Sequence, residues 1–376
     1  MNNKFIPVCE PLLIGNERKY VMEALESGWI SSAGKYIPAF EQAFAEYCGV
    51  KHGIAVCNGT VALHLALLAL GIKRGDEVII PNFTMVASAF AVCYTGAIPV
   101  FVDAEPESWN IDPAKIEEKI TEKTRAIMPV HIYGHPCYMD TIVKMARKYN
   151  LRIIEDAAEG HGAEYYGKKC GSLGDIAAFS FFANKIATTG EGGMILVNDD
   201  ELANKCRYHK NLCFPLSGNR NYKHNDIGYN YRMSNLHAAV GLAQVEKLDY
   251  YVESRRRINA LYRKYLMDIP GITMQAEKKW AKNVYWMNSI IIDRYKFGAS
   301  KNELMIKLKE KGIDTRLLFM GMNKQLSLRK YGCDCNGDYS VTEYLSNNGL
   351  YLPSGSGLDE ESIKYISSVI LDVSKH

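Results

Sequence analysis

Short apolar segments alternate with helix-like segments through the first two-thirds of the chain. The segment GIAVCN at 53–58 precedes GTVALHLALLALG, whose apolar spacing predicts a helix that begins at the Asn58-Gly59-Thr60 turn. The alternation continues through DEVIIP, IPVFVD and LRIIEDAA, and DIAAFSFF and GGMILVND predict two more strands. Strands that alternate with helices form parallel sheets covered by helices on both faces. The sequence therefore predicts an α/β domain built on a mostly parallel sheet.

The remaining elements are predicted from the same patterns. Helices are expected at 112–122 and 138–149, with the strand RAIMPVHIYG between them. After about residue 235 the pattern changes to one long helical region, followed by a smaller set of strands and helices. We therefore expect a large α/β domain over 1–245 and a small α+β domain over 246–376.

Composition excludes several classes of function. The 376 residues carry 45 Lys+Arg against 42 Asp+Glu, too balanced for a protein that binds nucleic acid. The apolar run VALHLALLAL is too short to span a bilayer, and the first residues lack the apolar core of a secretory signal, which favours the cytoplasm. The ten cysteines are scattered without a CxxC pair, so we expect reduced thiols and no metal site.

Polar residues follow several of the predicted strands, where ligands bind in open α/β sheets. The glycine of Asn58-Gly59-Thr60 would allow close approach of a phosphate to the helix amides, although Asn and Thr also cap helices routinely. Glu155-Asp156 ends the strand LRII and could meet a protonated ligand atom, or be an ordinary loop carboxylate.

Lys185 lies five residues after Ser180, between an aromatic strand and a glycine-rich loop. A partly buried lysine has a lowered pKa and can attack carbonyl groups, whereas a lysine at a loop tip would be solvated. A phosphate cradle, an acid for a ring nitrogen and a lysine for an aldehyde together match pyridoxal 5'-phosphate. The motifs of P-loop and nicotinamide-binding proteins are absent from the sequence.

Longer motifs resemble one enzyme family over essentially the whole chain. They include NGTVALHLALLALGIKRGDEVIIP, IIEDAAEGHGAEYYGKKCGSLGDIAAFSFFANK, TTGEGGMI and IGYNYRMSNLHAAVGLAQ. The chain resembles the sugar aminotransferases of the DegT/DnrJ/EryC1/StrS family. The resemblance implies a fold-type-I, aspartate aminotransferase-like enzyme, with a seven-stranded large-domain sheet and a smaller C-terminal domain.

The resemblance also implies roles for individual residues. Lys185 would form the Schiff base with pyridoxal phosphate and carry protons, while Asp156 would pair with the pyridinium nitrogen and Glu159 would meet the ring hydroxyl. The remaining cofactor-binding residues would be Gly59, Thr60 and Ser180 at the phosphate, Met85 where relatives have a stacking aromatic, and Asn230, which would reach the cofactor of a neighbouring subunit. A homodimer with shared active sites is implied.

The implied reaction moves an amino group from L-glutamate to a nucleotide-linked keto-sugar for surface-polysaccharide biosynthesis, such as lipopolysaccharide O-antigen. The motifs WISS and GYNYRMSN resemble the subgroup that aminates C4 of GDP-4-keto-6-deoxymannose. Alternatives are dTDP- or UDP-linked 4-keto or 3-keto sugars, a higher-carbon keto-sugar acid, a pyridoxal-phosphate-dependent deoxysugar dehydratase, or a non-catalytic relative. Candidates for sugar contacts are Lys223, His224, Arg316 and Asn323, the last standing where relatives have histidine.

Overall fold

The computed structural model describes residues 5–217 and 222–374. In these residues the strands, in chain order, are β1 His52–Val56, β2 Glu77–Pro81, β3 Ile98–Val102, β4 Thr124–Ile127, β5 Arg152–Asp156, β6 Glu164–Tyr165, β7 Lys168–Lys169, β8 Ile176–Ser180, β9 Gly193–Val197, β10 Ile272–Met274, β11 Ala281–Lys282, β12 Asn288–Ile292, β13 Arg316–Leu317 and β14 Gly349–Leu352. The α-helices are α1 Glu17–Glu26, α2 Tyr36–Cys48, α3 Gly59–Ala69, α4 Val86–Tyr94, α5 Met139–Tyr149, α6 Asp200–Lys210, α7 Asn235–Val245, α8 Leu248–Leu266, α9 Arg294–Phe297, α10 Lys301–Glu310, α11 Leu326–Tyr331, α12 Ser340–Asn348 and α13 Glu360–Ser374.

The large sheet has seven strands in the order β1-β9-β8-β5-β4-β2-β3. Neighbouring strands from β8 to β3 pair in parallel, and β9 alone runs antiparallel to its neighbours β1 and β8. Its strands are almost entirely buried, as expected of a sheet covered on both faces. The predicted α/β fold with a mostly parallel seven-stranded sheet is confirmed.

One predicted element is wrong and another is shorter than predicted. Residues 112–122 form two short 3-10 turns, Pro113–Lys115 and Glu117–Lys119, rather than a helix. The Asp112 carboxylate accepts from the Ala114 amide, and the chain returns to an extended conformation at Ile120. The strand predicted at 125–134 stops at Ile127, because Pro129 has no N–H to donate to a ladder.

The long helical region beyond residue 235 consists of two helices. Helix α7 ends at Val245 and α8 begins at Leu248, with the helical geometry interrupted at Lys247 (φ −115°, ψ 9°). Helix α8 leads to a four-stranded sheet in the order β10-β12-β14-β13, whose apolar face packs with α8, α10 and α13. The predicted domain boundary at 245/246 stays a prediction, and Ile6 packs in the apolar cluster of this second sheet.

The topology brings one end of the large sheet together as a site. Strands β1, β5 and β8 run in the same direction, so their carboxyl ends lie at one edge. Helix α3 begins there after β1, and its sides are buried among the strands and α4, which explains its nearly all-apolar sequence. The described residues contain no helix long and apolar enough to cross a membrane.

Candidate active site

Lys185 is buried beside two acidic residues. Its Nζ lies 3.9 Å from Oε1 of Glu159 and 3.8 Å from the ring centroid of Trp286, and its side chain is only 10% exposed. Burial lowers the pKa of the Lys185 ammonium, while the Glu159 and Asp156 carboxylates oppose that shift. The structure thus excludes the interpretation of Lys185 as a solvated loop-tip lysine.

Asp156 is the last residue of β5 and is buried. Its Oδ2 accepts a hydrogen bond from Ser88 Oγ at 2.7 Å, and its Oδ1 accepts from the Ala158 amide at 3.2 Å. Burial raises the pKa of this carboxyl, and the bonds from Ser88 and Ala158 and the charge of Lys185 counteract the rise. The carboxylate therefore has only two fixed donors and room to accept from a further cationic N–H.

Glu159 lies at the same end of the sheet, 4% exposed. Its Oε2 accepts from the backbone N–H of Tyr133 at 2.7 Å, and Tyr133 has the unusual positive φ of 53°. Burial raises the pKa of Glu159 to about 7, and the charge of Lys185 opposes this rise. A carboxyl that titrates near neutral pH next to a lysine of lowered pKa is typical of an active site.

The turn before α3 both caps the helix and offers donors for a phosphate, the two interpretations that the sequence allowed. Asn58 caps the helix, because its Oδ1 accepts from the Val61 amide at 3.0 Å. A Cβ on Gly59 would lie only 2.7 Å from Cβ of Ser180, so only glycine lets the start of α3 approach the end of β8 this closely. Thr60 is the next residue of the helix. The helix amides and the Ser180 hydroxyl together provide donors suited to a phosphate.

Met85 and Asn230 lie on the surface of the chain. Met85 directly precedes α4 and is 50% exposed. Asn230 is exposed, and its Oδ1 accepts from Nε of Arg232 at 2.9 Å. The structure contains one chain, so the contact predicted between Asn230 and a partner's cofactor stays a prediction.

The candidates for sugar contacts lie in unlike surroundings. Asn323 is 5% exposed and bonds twice to Asn82: its side-chain Oδ1 accepts from Nδ2 of Asn82 at 3.0 Å, and its backbone N–H donates to Oδ1 of Asn82 at 2.9 Å. Asn323 therefore joins the C-terminal lobe to the residue that follows β2. Arg316 is exposed and pairs with Asp314, and His224 Nδ1 bonds to the Leu212 carbonyl.

An aromatic wall that the sequence did not predict, formed by Trp286, Tyr133, Phe319 and Tyr351, lies beside Lys185. The Trp286 ring stacks on Tyr133 at 6.1 Å and on Phe319 at 6.5 Å between centroids, and Tyr351 packs at the edge of the group. Tyr133 and Trp286 lie 153 positions apart in the chain (286 minus 133). The apolar pattern predicts a strand near Trp286, but it does not predict that the Trp286 side chain lies next to Lys185.

The residues at this edge fit pyridoxal phosphate. They offer a buried amine, an under-bonded carboxylate and a glycine-lined cradle that a side chain would fill. A fold with a seven-stranded sheet of this topology and a lysine after β8 defines the class of pyridoxal-phosphate-dependent aminotransferases. The family model of the DegT/DnrJ/EryC1/StrS aminotransferase family matches residues 12–371, and the chain belongs to this family.

Individual relatives agree with this assignment. The chain is 46% identical to the GDP-perosamine synthase of Caulobacter vibrioides, covering 97% of both proteins, and 46% identical to that of Escherichia coli O157:H7, covering 98% of both. A solved structure of DesI in the presence of its TDP-sugar product superimposes with a TM-score of 0.91 at 31% identity, covering 99% of this chain and 93% of DesI. The predictions of family, fold type, aminotransferase class and cofactor are confirmed.

Proposed function

We propose that the protein transfers the amino group of L-glutamate to C4 of GDP-4-keto-6-deoxymannose, in the cytoplasm, for the synthesis of a surface polysaccharide. The observation that carries the chemistry is the buried amine of Lys185 next to Glu159. The substrate is supported by the relatives named GDP-perosamine synthase, which match over nearly the full length of the chain. A lysine at this position favours transamination over dehydration, for which some members of the family carry histidine.

The proposed roles follow from the contacts of each residue. Lys185 binds the cofactor aldehyde and, when released, moves a proton between the donor or acceptor carbon and the cofactor carbon. Burial lowers the pKa of its ammonium, which increases the fraction of free amine that can accept that proton. Pyridoxal phosphate, when bound, supplies an electron-withdrawing ring that stabilises negative charge on the carbon that loses its proton.

The surrounding residues orient the cofactor. Asp156 would accept from the ring N–H with the oxygen capacity that Ser88 and Ala158 leave free, and Glu159 would face the ring hydroxyl. Gly59, Thr60 and Ser180 would hold its phosphate, and Met85 would cover one face of its ring. These assignments are supported by the shared edge of the sheet at which the residues lie.

A homodimer completes this proposal. Asn230 is exposed, and its Oδ1 accepts from Arg232 while its Nδ2 has no hydrogen bond within the described residues, so this N–H group can serve a partner's cofactor. Trp29 is 61% exposed and Ile30 47% exposed, beside the buried Asn235, whose Nδ2 donates to the Trp29 carbonyl. These two adjacent apolar side chains would form part of a contiguous apolar patch at such an interface. Sedimentation analysis is expected to give twice the mass of one chain.

A substrate panel tests the proposed reaction. Purified protein is given L-glutamate with GDP-4-keto-6-deoxymannose, dTDP-4-keto-6-deoxyglucose or a UDP-linked 4-keto sugar, and the masses of the products are recorded. We expect the GDP-linked amino sugar and an equal amount of 2-oxoglutarate. Amination of only the dTDP- or UDP-linked sugar would overturn the substrate, and loss of water without glutamate would overturn the reaction.

A further inference from the structure

The carbonyl of Asn184, next to Lys185, is held by two donors from distant parts of the chain. Trp286 Nε1 donates to it at 2.8 Å, and Cys9 Sγ donates at 3.4 Å. The Trp286 ring also lies 3.8 Å from Nζ of Lys185. One indole therefore fixes the peptide before the lysine through its N–H and covers the amine with its ring face.

Trp286 and Cys9 are in turn held by one buried arginine. Arg255, on α8, is 1% exposed, and its NH1 donates to the Trp286 carbonyl at 2.8 Å. Its NH2 donates to Cys9 Sγ at 3.4 Å and its Nε to Ser356 Oγ at 3.0 Å. Within the described ranges, Arg255 forms no ion pair with a carboxylate. Burying a guanidinium is costly, so a placement with three neutral acceptors and no counter-charge calls for a specific role.

We propose that Trp286, held by Arg255, is a positioning residue for Lys185: its N–H fixes the loop at Asn184, and its ring face fixes the amine for proton transfer. The aromatic wall makes this placement rigid, because Tyr133 and Phe319 both stack with the indole. Tyr133 also donates its amide to Glu159, so the same wall holds both partners of the buried pair. The expected effect of Trp286 on turnover rests on the proposed function, whereas the contacts of Trp286 with Asn184, Lys185 and Arg255 do not depend on it.

A cation over an indole face favours the charged form of the amine, against the effect of burial. Removal of the ring therefore lowers the pH at which Lys185 becomes reactive. Removal of the N–H alone leaves that pH unchanged but loosens the loop. Two substitutions separate these effects: Trp286→Phe keeps a ring face without the N–H, and Trp286→Leu removes both. Arg255→Lys keeps the charge but cannot make the three fixed bonds.

The contacts are tested on the folded protein without cofactor. Each variant is labelled with acetic anhydride across a pH series, and the modification of Lys185 is quantified by peptide mass spectrometry. We expect the midpoint to fall by about one pH unit in Trp286→Leu and to change by less than about 0.3 in Trp286→Phe. Trp280→Phe, in a separate aromatic group with Tyr165, is the matched control and leaves the midpoint unchanged.

Turnover is then measured on the holoenzyme. We expect kcat to fall about fivefold in Trp286→Phe and more in Arg255→Lys, with KM for the sugar changed less than twofold, because the amine rather than the substrate is displaced. A wild-type labelling midpoint in folded Trp286→Leu would overturn the inference. So would a fall in kcat/KM that comes entirely from KM. If no sugar is turned over by any variant or by the wild type, the proposed function fails, while the labelling still decides the contacts.

Discussion

Glu155 and Asp156 are neighbours on β5, both buried, yet the two carboxylates have opposite surroundings. Glu155 accepts from the backbone amides of Gly171, Leu173 and Gly174 and from Nε2 of His131. Asp156 accepts from one hydroxyl and one amide. Since successive strand residues point to opposite faces, one step along the chain separates a carboxylate saturated by fixed donors from one that can still bind a ligand.

Glu155 also belongs to a cluster of side chains that resembles a metal site. Single ligand atoms of His131, Glu155 and Cys170 lie within 4.8 Å of one another, all buried. The Glu155 oxygens are already bonded, and Nδ1 of His131 accepts from the Cys137 amide at 3.1 Å. The contrast indicates that Glu155 stabilises the loop at 171–174, whereas Asp156 keeps capacity to accept from a ligand, as the proposed function requires.

The largest effect is expected at Lys185. Lys185→Ala removes the proton carrier and should lower the rate of transamination by roughly 10²–10⁴-fold, measured as 2-oxoglutarate released. Lys148→Ala, at a side chain 61% exposed, is the control and should keep the wild-type rate. Normal turnover in Lys185→Ala would show that the reaction does not take place at Lys185, on the side of the sheet where Asp156 lies.

Glu155→Gln should act on stability instead. In the wild type, backbone N–H groups donate to both carboxylate oxygens of Glu155. Glutamine replaces one of these oxygens with an NH2 group, which cannot accept, so we expect a loss of roughly 3–5 kcal/mol in the free energy of unfolding. Activity per folded molecule should stay within about twofold of wild type. Denaturant unfolding measures the first quantity and active-site titration the second. Unchanged stability would remove the distinction between the two carboxylates.

Asp156→Asn is the reciprocal test. Asparagine can still accept from the Ala158 amide through Oδ1, and its Nδ2 can donate to Ser88 Oγ, whose hydroxyl can turn toward Thr84 Oγ1 at 3.1 Å. The variant loses the negative charge, so stability should change less than in Glu155→Gln while kcat falls roughly 10²–10³-fold. The effect is measured with saturating cofactor, so that a weaker cofactor affinity does not contribute. A variant that is destabilised but active would mean that Asp156, like Glu155, serves the fold.

Sequence reasoning could find the sheet but not this distinction. The alternation of strands and helices is a local signal, which is why a mostly parallel sheet was predicted and Lys185, Asp156 and Gly59 could be placed at strand ends, whereas the number of seven strands came from the family resemblance. Glu155 and Asp156 look equivalent in LRIIEDAA, because the donors that saturate Glu155 come from a loop fixed by tertiary packing. Trp286 and Arg255 were missed for the same reason, and the turns at 113–119 carry a helix-like pattern but close i→i+3 bonds of the 3-10 type rather than those of an α-helix.

A pH dependence should distinguish Glu159 from exposed acids. Its pKa is raised from 4.5 to about 7, so between these values the folded protein binds more protons than the unfolded chain. The free energy of unfolding of the cofactor-free protein should therefore fall as pH rises through this window, by on the order of 1–3 kcal/mol. Glu159→Gln should abolish this contribution, whereas Glu201→Gln, at a side chain 77% exposed, should not. Identical pH profiles for wild type and Glu159→Gln would contradict the assignment.

The smallest effect is expected at Met85, the exposed residue proposed to cover the cofactor ring. A thioether packs on an aromatic ring less specifically than another ring does, and aromatic pairs contribute about 0.5–1.5 kcal/mol beyond their burial. Met85→Phe should therefore tighten the binding of pyridoxal phosphate by roughly two- to tenfold, measured by equilibrium dialysis. Met22→Phe, on α1 and 47% exposed, is the control for added surface apolarity. Weaker binding in Met85→Phe would mean that Met85 does not cover the ring of pyridoxal phosphate. The cofactor would then be held through Asp156 and the phosphate cradle, without a contribution from Met85.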